Sequence, residues 1–406
     1  MKILKNLFVY YTIISLFFQA PLRFLYSFIL SADFLVYAIN FIFISLVLLY
    51  KSKSIVTLIN NNIWVFSYLV VILLYSLSLA DYKEVFYVFY VITPLLFFCV
   101  FSDELIGFLD THKSLFIVIF LLCAAGIIYD YYYDFPWKGL SFTNLSGNSV
   151  DVSRDWTASG VERIAGFSRT SFDAAMAMLF LLILILYKYK NFIIIHITFI
   201  IAFISIYLTT TKGCLISLLL VYFVYIINGF KSAFKKVSLQ ITIISLSILM
   251  VSLPLGILQG FEIPILSNES FKDRINNEWP FIMRQFTEFI SYVFGLGIGD
   301  VGLGKQVYGN ANMGSPGDNL FIYLYANIGL LAFGLFLVVL KRLKTVNSDL
   351  FKYMAVFLFS YGITTNIVES PIGQLVIAFS LFIVYKNNDI DDEALTAAIA
   401  PVDIVA

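Results

Sequence analysis

Apolar residues in this chain do not alternate with polar ones; they run in blocks of about twenty, parted by short polar breaks. Twelve such blocks lie at 7–26, 33–50, 62–80, 84–101, 114–130, 170–187, 191–210, 212–228, 237–258, 319–340, 350–367 and 370–385. Each predicts a helix, because a backbone in hydrocarbon must satisfy its polar groups within its own segment, and no alternating barrel pattern is present. Pro21 and Arg23 leave open an early end to the first block, with 22–30 at the interface. The expected fold class is all-α: a polytopic integral membrane protein with about twelve transmembrane helices in one domain over 1–386. Two long breaks, 131–169 and 259–318, fall on one side of that topology.

The basic residues orient it. With the N-terminus inside, 15 of the 26 Lys and Arg crowd into short inner breaks, among them Lys51, Lys53, Lys188, Lys235 and Lys341. The outer ones are spread over far more loop, which satisfies the positive-inside rule and puts both termini in the cytoplasm. Both long loops then face outward, where no ATP or NAD is available. Tyr129, Tyr131, Tyr132, Tyr133 and Trp137 fit an interfacial aromatic belt. The first block reads as an uncleaved anchor.

Composition agrees. The chain is 60% hydrophobic and 13% charged, with 18% aromatics, and its mean hydropathy is +0.91. So few charges could not cover a soluble enzyme, and a nucleic-acid partner is excluded. Lys plus Arg and Asp plus Glu both number 26, a net charge of zero. The two basic residue types are nevertheless sorted: six of seven Arg lie outside and fourteen of nineteen Lys inside. A guanidinium grips phosphate oxygens with a two-donor fork, whereas Lys offers a point charge. Arg154, Arg163 and Arg169 before the sixth block, with Arg274 and Arg284 in the second loop, suggest an outer site for a phosphate or pyrophosphate. The bland alternative is local helical pairing of Arg169 with Asp173, Arg274 with Glu278, and Arg284 with Glu288.

Other features carry less. Gly297, Gly299 and Gly302 spell G-x-G-x-x-G without a strand-turn-helix unit around them, and read as a flexible loop. Asp389 and Asp391 lie in an acidic stretch, 387–406, that reads as a short cytoplasmic tail, disordered or added. Asn144 and Asn268 open glycosylation sequons. Cys99, Cys123 and Cys214 all fall in apolar blocks and suggest packing. His112 sits in an inner loop and His196 in a span, so no His is expected on the outer face.

Four segments resemble the bacterial O-antigen polymerase (Wzy-type) and O-antigen ligase (WaaL-type) superfamily of polytopic glycan transferases. They are "VERIAGFSRTSFDAAMAMLFLL", "TTTKGCLISLLL", "DRINNEWPFIMRQFTEFISYVFGLGIGD" and "GDNLFIYLYANIGLLAFGLFL", in that order over 161–340. The ligase branch typically opens the last motif with His, where this chain has Asp318, and the family's turn Arg is Lys212 here. The missing His favours the polymerase over the ligase. The resemblance implies a metal-independent glycosyl transfer, without cofactor, at the periplasmic face of the inner membrane. Its substrates would be oligosaccharide repeat units on undecaprenyl pyrophosphate, and a chain-length regulator would be a partner.

Residue chemistry fits that reaction. A departing pyrophosphate gains charge, which preorganised guanidinium forks stabilise. Arg274 and Arg284 are the catalytic candidates, with Arg163, Arg169 and Lys212 in substrate binding. The attacking hydroxyl needs a proton acceptor, for which Asp318 is the candidate; as an Asp before an apolar helix it is equally suited to N-cap the tenth span. Asn319 is positioned to orient either substrate, and Glu369 is a lesser carboxylate candidate. The rival class is a transporter, such as a lipid-linked oligosaccharide flippase, against which stands the scarcity of mid-span charge.

Overall fold

The computed structural model describes residues 2–61, 63–143, 149–158, 160–228, 232–256, 269–308, 317–343 and 348–380. The first half of the helices is α1 Lys2–Phe17, α2 Gln19–Phe24, α3 Phe34–Asn61, α4 Ile63–Leu79, α5 Tyr82–Val100, α6 Ser102–Thr111, α7 Lys113–Tyr132 and α8 Ser171–Lys188. There follow α9 Phe192–Leu208, α10 Lys212–Ile227, α11 Ser232–Ser252, α12 Glu269–Asp273, α13 Trp279–Arg284, α14 Phe289–Phe294, α15 Leu303–Tyr308, α16 Leu320–Ile328, α17 Leu331–Arg342 and α18 Asp349–Gly362. A last helix, α19, spans Pro371–Ser380.

Every apolar block is helical where described, so the protein is mostly helical with helices suited to a membrane. By length and composition, four of them, α3, α5, α7 and α8, are long and apolar enough to cross, and a fifth crossing arises if α1 and α2 count together. Those two meet at a bend of 101° just before Pro21. The remaining apolar helices are shorter. Block 319–340 breaks into α16 and α17 at Gly329, and block 350–367 stops as helix at Gly362. Helicity is not complete either. The 131–169 loop holds two antiparallel pairs, β1 Ser141–Thr143 with β2 Ser149–Asp151 and β3 Thr157–Ala158 with β4 Val161–Glu162. The sequons' Asn144 and Asn268, and the 387–406 tail, lie outside the described residues.

Burial orders the bundle. Residues 174–186 of α8 and 350–362 of α18 are buried without interruption, as expected of helices apolar on all sides. Helix α10 packs on both, α7 packs on α8, and α11 packs on α18. At the periphery, α3 and α4 expose Leu49, Trp64 and Leu74, side chains suited to lipid. Cys123 and Cys214 are buried and Cys99 is partly so; all three are free thiols. His196 bonds the Phe192 carbonyl and His112 the Tyr10 hydroxyl, both at 2.7 Å.

One end of the bundle gathers the polar loops. Asp130 at the end of α7 accepts from the Ala165 and Gly166 amides at 3.1 and 2.9 Å. Lys138 ties the same loop down, bonding Asp134 at 2.6 Å and pairing with Glu162. The glycine-rich stretch 295–302 is packed rather than loose. Ile298 N–H donates to Ser76 Oγ at 2.7 Å on α4, and Gly299 N–H to Asn327 Oδ1 at 2.8 Å on α16. Where this stretch crosses the α16–α17 break, Gly329 has φ +57° and any Cβ would lie 2.0 Å from the Val293 carbonyl.

That close approach yields a prediction. Gly329→Ala forces a side chain into a conformation reserved for glycine, at a cost of roughly 1–3 kcal/mol before the clash is counted. Thermal unfolding of the purified variant in detergent should show a clear drop in melting temperature, whereas Gly107→Ala, with open space around it, should not.

Candidate functional site

The loop-bearing end brings together residues from distant parts of the chain. Beyond α12 the chain passes through one wide π-helical turn, Arg274–Glu278, which sets Arg274 against the start of α16. Arg274 Nη2 lies 2.7 Å from Asp318 Oδ2, and both side chains are largely buried. Its Nη1 donates to the Thr364 carbonyl at 2.9 Å, beyond the end of α18. The pair therefore bridges three segments separated by up to 90 residues.

Asp318 does not cap α16. Asn319 does: its Oδ1 accepts from Ile322 N–H at 3.0 Å, and its Nδ2 donates to the carbonyls of Met250 and Ile363 at 3.2 and 3.1 Å. It is fully buried, so its amide is committed to structure. Capping by the neighbour frees Asp318 to meet Arg274, which separates two roles that fell on one residue in the sequence.

Arg163 joins this cluster from the other long loop. Its guanidinium lies 4.2 Å from the Trp156 ring centre and 5.0 Å from that of Phe172, while Arg154 lies 4.7 Å from the Trp156 ring. Such stacking holds a cation without spending its hydrogen-bond donors. Burial, then the Arg274 charge, pulls the Arg163 guanidinium below its usual value, and Asp318 counteracts in part. Arg163 Nε is buried with no hydrogen-bond partner among the described residues, as are Arg169 Nε and Trp156 Nε1. Unmatched buried donors are costly and rare, and three of them here belong to one loop. Glu278, beside the pair, is raised from the ordinary carboxylate range, by burial first and then by Asp318.

The proposed local pairings are not formed: among the described residues Arg274 pairs across the fold, and neither Arg169 nor Arg284 forms an ion pair with the carboxylate four positions on. Arg284 ends α13 and is exposed. Lys212, at the start of α10, is exposed too. Its turn is near the cluster, since a Cβ on Gly213 would come within 2.1 Å of Thr364 Oγ1.

A cavity of about 190 Å³ opens beside this cluster. Arg23, Arg169, Glu369, Tyr87 and Tyr90 line it together with Leu16, Ile39, Phe43, Pro94 and Phe98 from α1, α3 and α5. Arg23 donates to the Asp151 carbonyl at 3.1 Å. Asp173, also on the wall, accepts from Ser370 Oγ at 2.6 Å and Thr170 Oγ1 at 2.8 Å. Glu369 Oε1 accepts the Leu303 N–H at 2.7 Å. Gly302 makes room for this carboxyl, since a Cβ there would sit 2.4 Å from the same oxygen. Burial raises the Glu369 carboxyl to about 8, the Leu303 amide opposing the shift and the Asp318 charge adding to it.

Sequence reasoning singled out Arg163, Arg169, Arg274, Asp318 and Asn319, and the fold brings them to one end. It passed over Arg23, although an arginine within an apolar block was itself a signal. It also ranked Glu369 low, because nothing local to Glu369 announces a cavity.

The arrangement can hold an anion between guanidinium groups and exchange a proton near neutrality. A carboxyl raised in the folded state favours folding below its unfolded value, about 4.5, and that contribution is lost as pH rises toward about 8. Melting temperatures followed across this interval should fall with pH in the wild type and fall less in Glu369→Gln. For the ion pair, a double-mutant cycle with Arg274→Ala and Asp318→Asn should return a coupling of about 1 kcal/mol or more; additive losses would mean that the pair contributes nothing. No protein-family model, curated protein or solved structure matches the chain.

Proposed function

We propose that the protein is an O-antigen or related surface-polysaccharide polymerase. It sits in the bacterial inner membrane with about twelve crossings, both termini cytoplasmic, and the two long loops periplasmic. It transfers a growing glycan from undecaprenyl pyrophosphate onto a new lipid-linked repeat unit, and a chain-length regulator is its protein partner. The observation that carries this reading is the cavity, where Leu16, Ile39, Phe43, Pro94 and Phe98 of α1, α3 and α5 stand among polar residues such as Ser15, Asn40 and Tyr90, and Arg23 and Arg169 supply positive charge. That combination suits a ligand with a hydrocarbon tail and an anionic head.

In this reading the pyrophosphate head meets Arg169 and Arg23, while Arg163 and Arg274 lie alongside to stabilise charge as the leaving group departs. Arg163 and Arg169 keep an unpartnered Nε apiece, so each retains a donor for a phosphate oxygen. Asp318 holds Arg274 in place through the 2.7 Å contact. The incoming sugar hydroxyl approaches from the periplasmic loops, past Trp156 and Phe172, whose rings hold Arg154 and Arg163 in place.

The test supplies purified protein in detergent with undecaprenyl-pyrophosphate repeat units and no nucleotide, and reads chain length on a ladder gel. Longer chains are expected. Transfer only to a lipid A-core acceptor would make the protein a ligase, and translocation in proteoliposomes without extension would make it a flippase. Arg274→Ala and Arg169→Ala should each lower extension by about 100-fold or more, the scale of a lost charge-stabilising donor. Arg284→Ala should retain most of the wild-type rate, because that side chain lies exposed outside the cluster.

A further inference from the structure

The polymerase reading leaves the proton of the attacking hydroxyl without an assigned destination, and the carboxylates at this end are not equivalent. Asp318 is engaged by Arg274 at 2.7 Å. Asp173 has both oxygens taken, by Ser370 and Thr170. Asp300 is held by Lys305 at 2.7 Å, with Glu84 on the far side of the same lysine at 3.8 Å. Glu278 does not line the cavity. Glu369 does, with one oxygen fixed by the Leu303 amide and the Tyr323 and Asn366 side chains facing its carboxyl.

We propose that Glu369, rather than Asp318, accepts the proton of the attacking sugar hydroxyl at the arginine-lined mouth of the cavity. This rests on the polymerase reading above. The hydroxyl oxygen of the incoming repeat unit forms a bond to C1 of the donor sugar. The bond from C1 to the pyrophosphate oxygen breaks, and its electron pair leaves on the pyrophosphate. The hydroxyl proton passes to the Glu369 carboxylate, which later releases it to water.

Three features suit Glu369 to this task. It shares the cavity wall with Arg23 and Arg169, so an acceptor sugar beside a bound pyrophosphate is within its reach. Its position is rigid, since Gly302 closes on one side and Leu303 N–H anchors one oxygen. Its proton affinity, raised by burial to about 8, lies near the working pH, where a general base is most effective. The groups that face it set that value. From α16 comes Tyr323, from the 363–370 turn Asn366, and from the start of α16 the Asp318 charge. Tyr87 of α5 is coupled to it, and Arg23 and Arg169 are coupled to Tyr87 in turn. Asp173 of α8 completes the wall.

Rates of chain extension measured against pH test the assignment. Wild-type kcat should rise with pH with a midpoint near 8. Glu369→Gln keeps an acceptor for the Leu303 amide and should still bind the lipid donor with a KM near wild type, but kcat should drop by about 100-fold or more. Glu369→Asp should restore part of that rate with a displaced pH midpoint, a change that a merely structural role would not produce. Asp318→Asn should lower the rate and move the midpoint downward, since the Asp318 charge helps to hold the Glu369 carboxyl up, while the pH-dependent limb itself persists. Should Glu369→Gln extend chains with the wild-type profile, or should Asp318→Asn abolish the pH-dependent limb while Glu369→Gln retains it, this assignment is overturned while the polymerase reading stands. Should the wild type itself make no longer chains, both are overturned.

Discussion

The candidate site depends on one buried amide. Asn319 caps α16 through Ile322 and reaches the carbonyls that end α11 and α18, Met250 and Ile363. Inside an apolar bundle those carbonyls have no water to turn to, so a side chain able to give and receive at once joins three helices at a point. Asp318 follows from that junction: with the cap supplied next door, its carboxylate is left to meet Arg274. Arg274 then draws on Thr364, the next residue but one after α18 ends, and the loop carrying Glu369 is brought to the cavity wall.

A second constraint governs the glycine-rich stretch. Gly295, Gly297, Gly299 and Gly302 all have positive φ, which lets the backbone thread between α4, α5 and α16 with its amides aimed at Ser76 and Asn327. The spacing that mimics a nucleotide-binding loop thus serves packing. Its outcome is the Leu303 amide, delivered to Glu369 at 2.7 Å. Polar satisfaction inside an apolar bundle and placement of a proton-accepting group are here the same set of hydrogen bonds.

Charge at this end is crowded rather than paired off. Stacking of Arg154 and Arg163 around Trp156 holds cations close together with little carboxylate between them, and repulsion from Arg274 is part of what lowers Arg163. A fold seeking only stability would pair such groups fully. The cavity adds apolar side chains, Leu16, Ile39, Phe43 and Phe98 among them, to a lining that also holds Arg23 and Arg169.

Much of this was legible in the sequence. Runs of about twenty apolar residues leave the backbone no partner but itself, so helices were determined wherever such runs occur; the sorting of Arg from Lys marked Arg163, Arg169 and Arg274 before any geometry was known. Pairings were not legible, because they depend on where chains cross. On sequence grounds the cap falls to Asp318, and only the approach of Met250 and Ile363 gives it to Asn319. Arg284 resembles Arg274 in its setting yet ends its helix facing outward. Arg23 and Glu369 lie almost 350 residues apart and share a wall only because α2 folds back at 101° and Gly302 makes room for a carboxyl. Local composition determined where helices form, since solvation acts on each segment by itself; the tertiary structure alone decided which charges meet, since that is set by contacts between segments that carry no trace of one another.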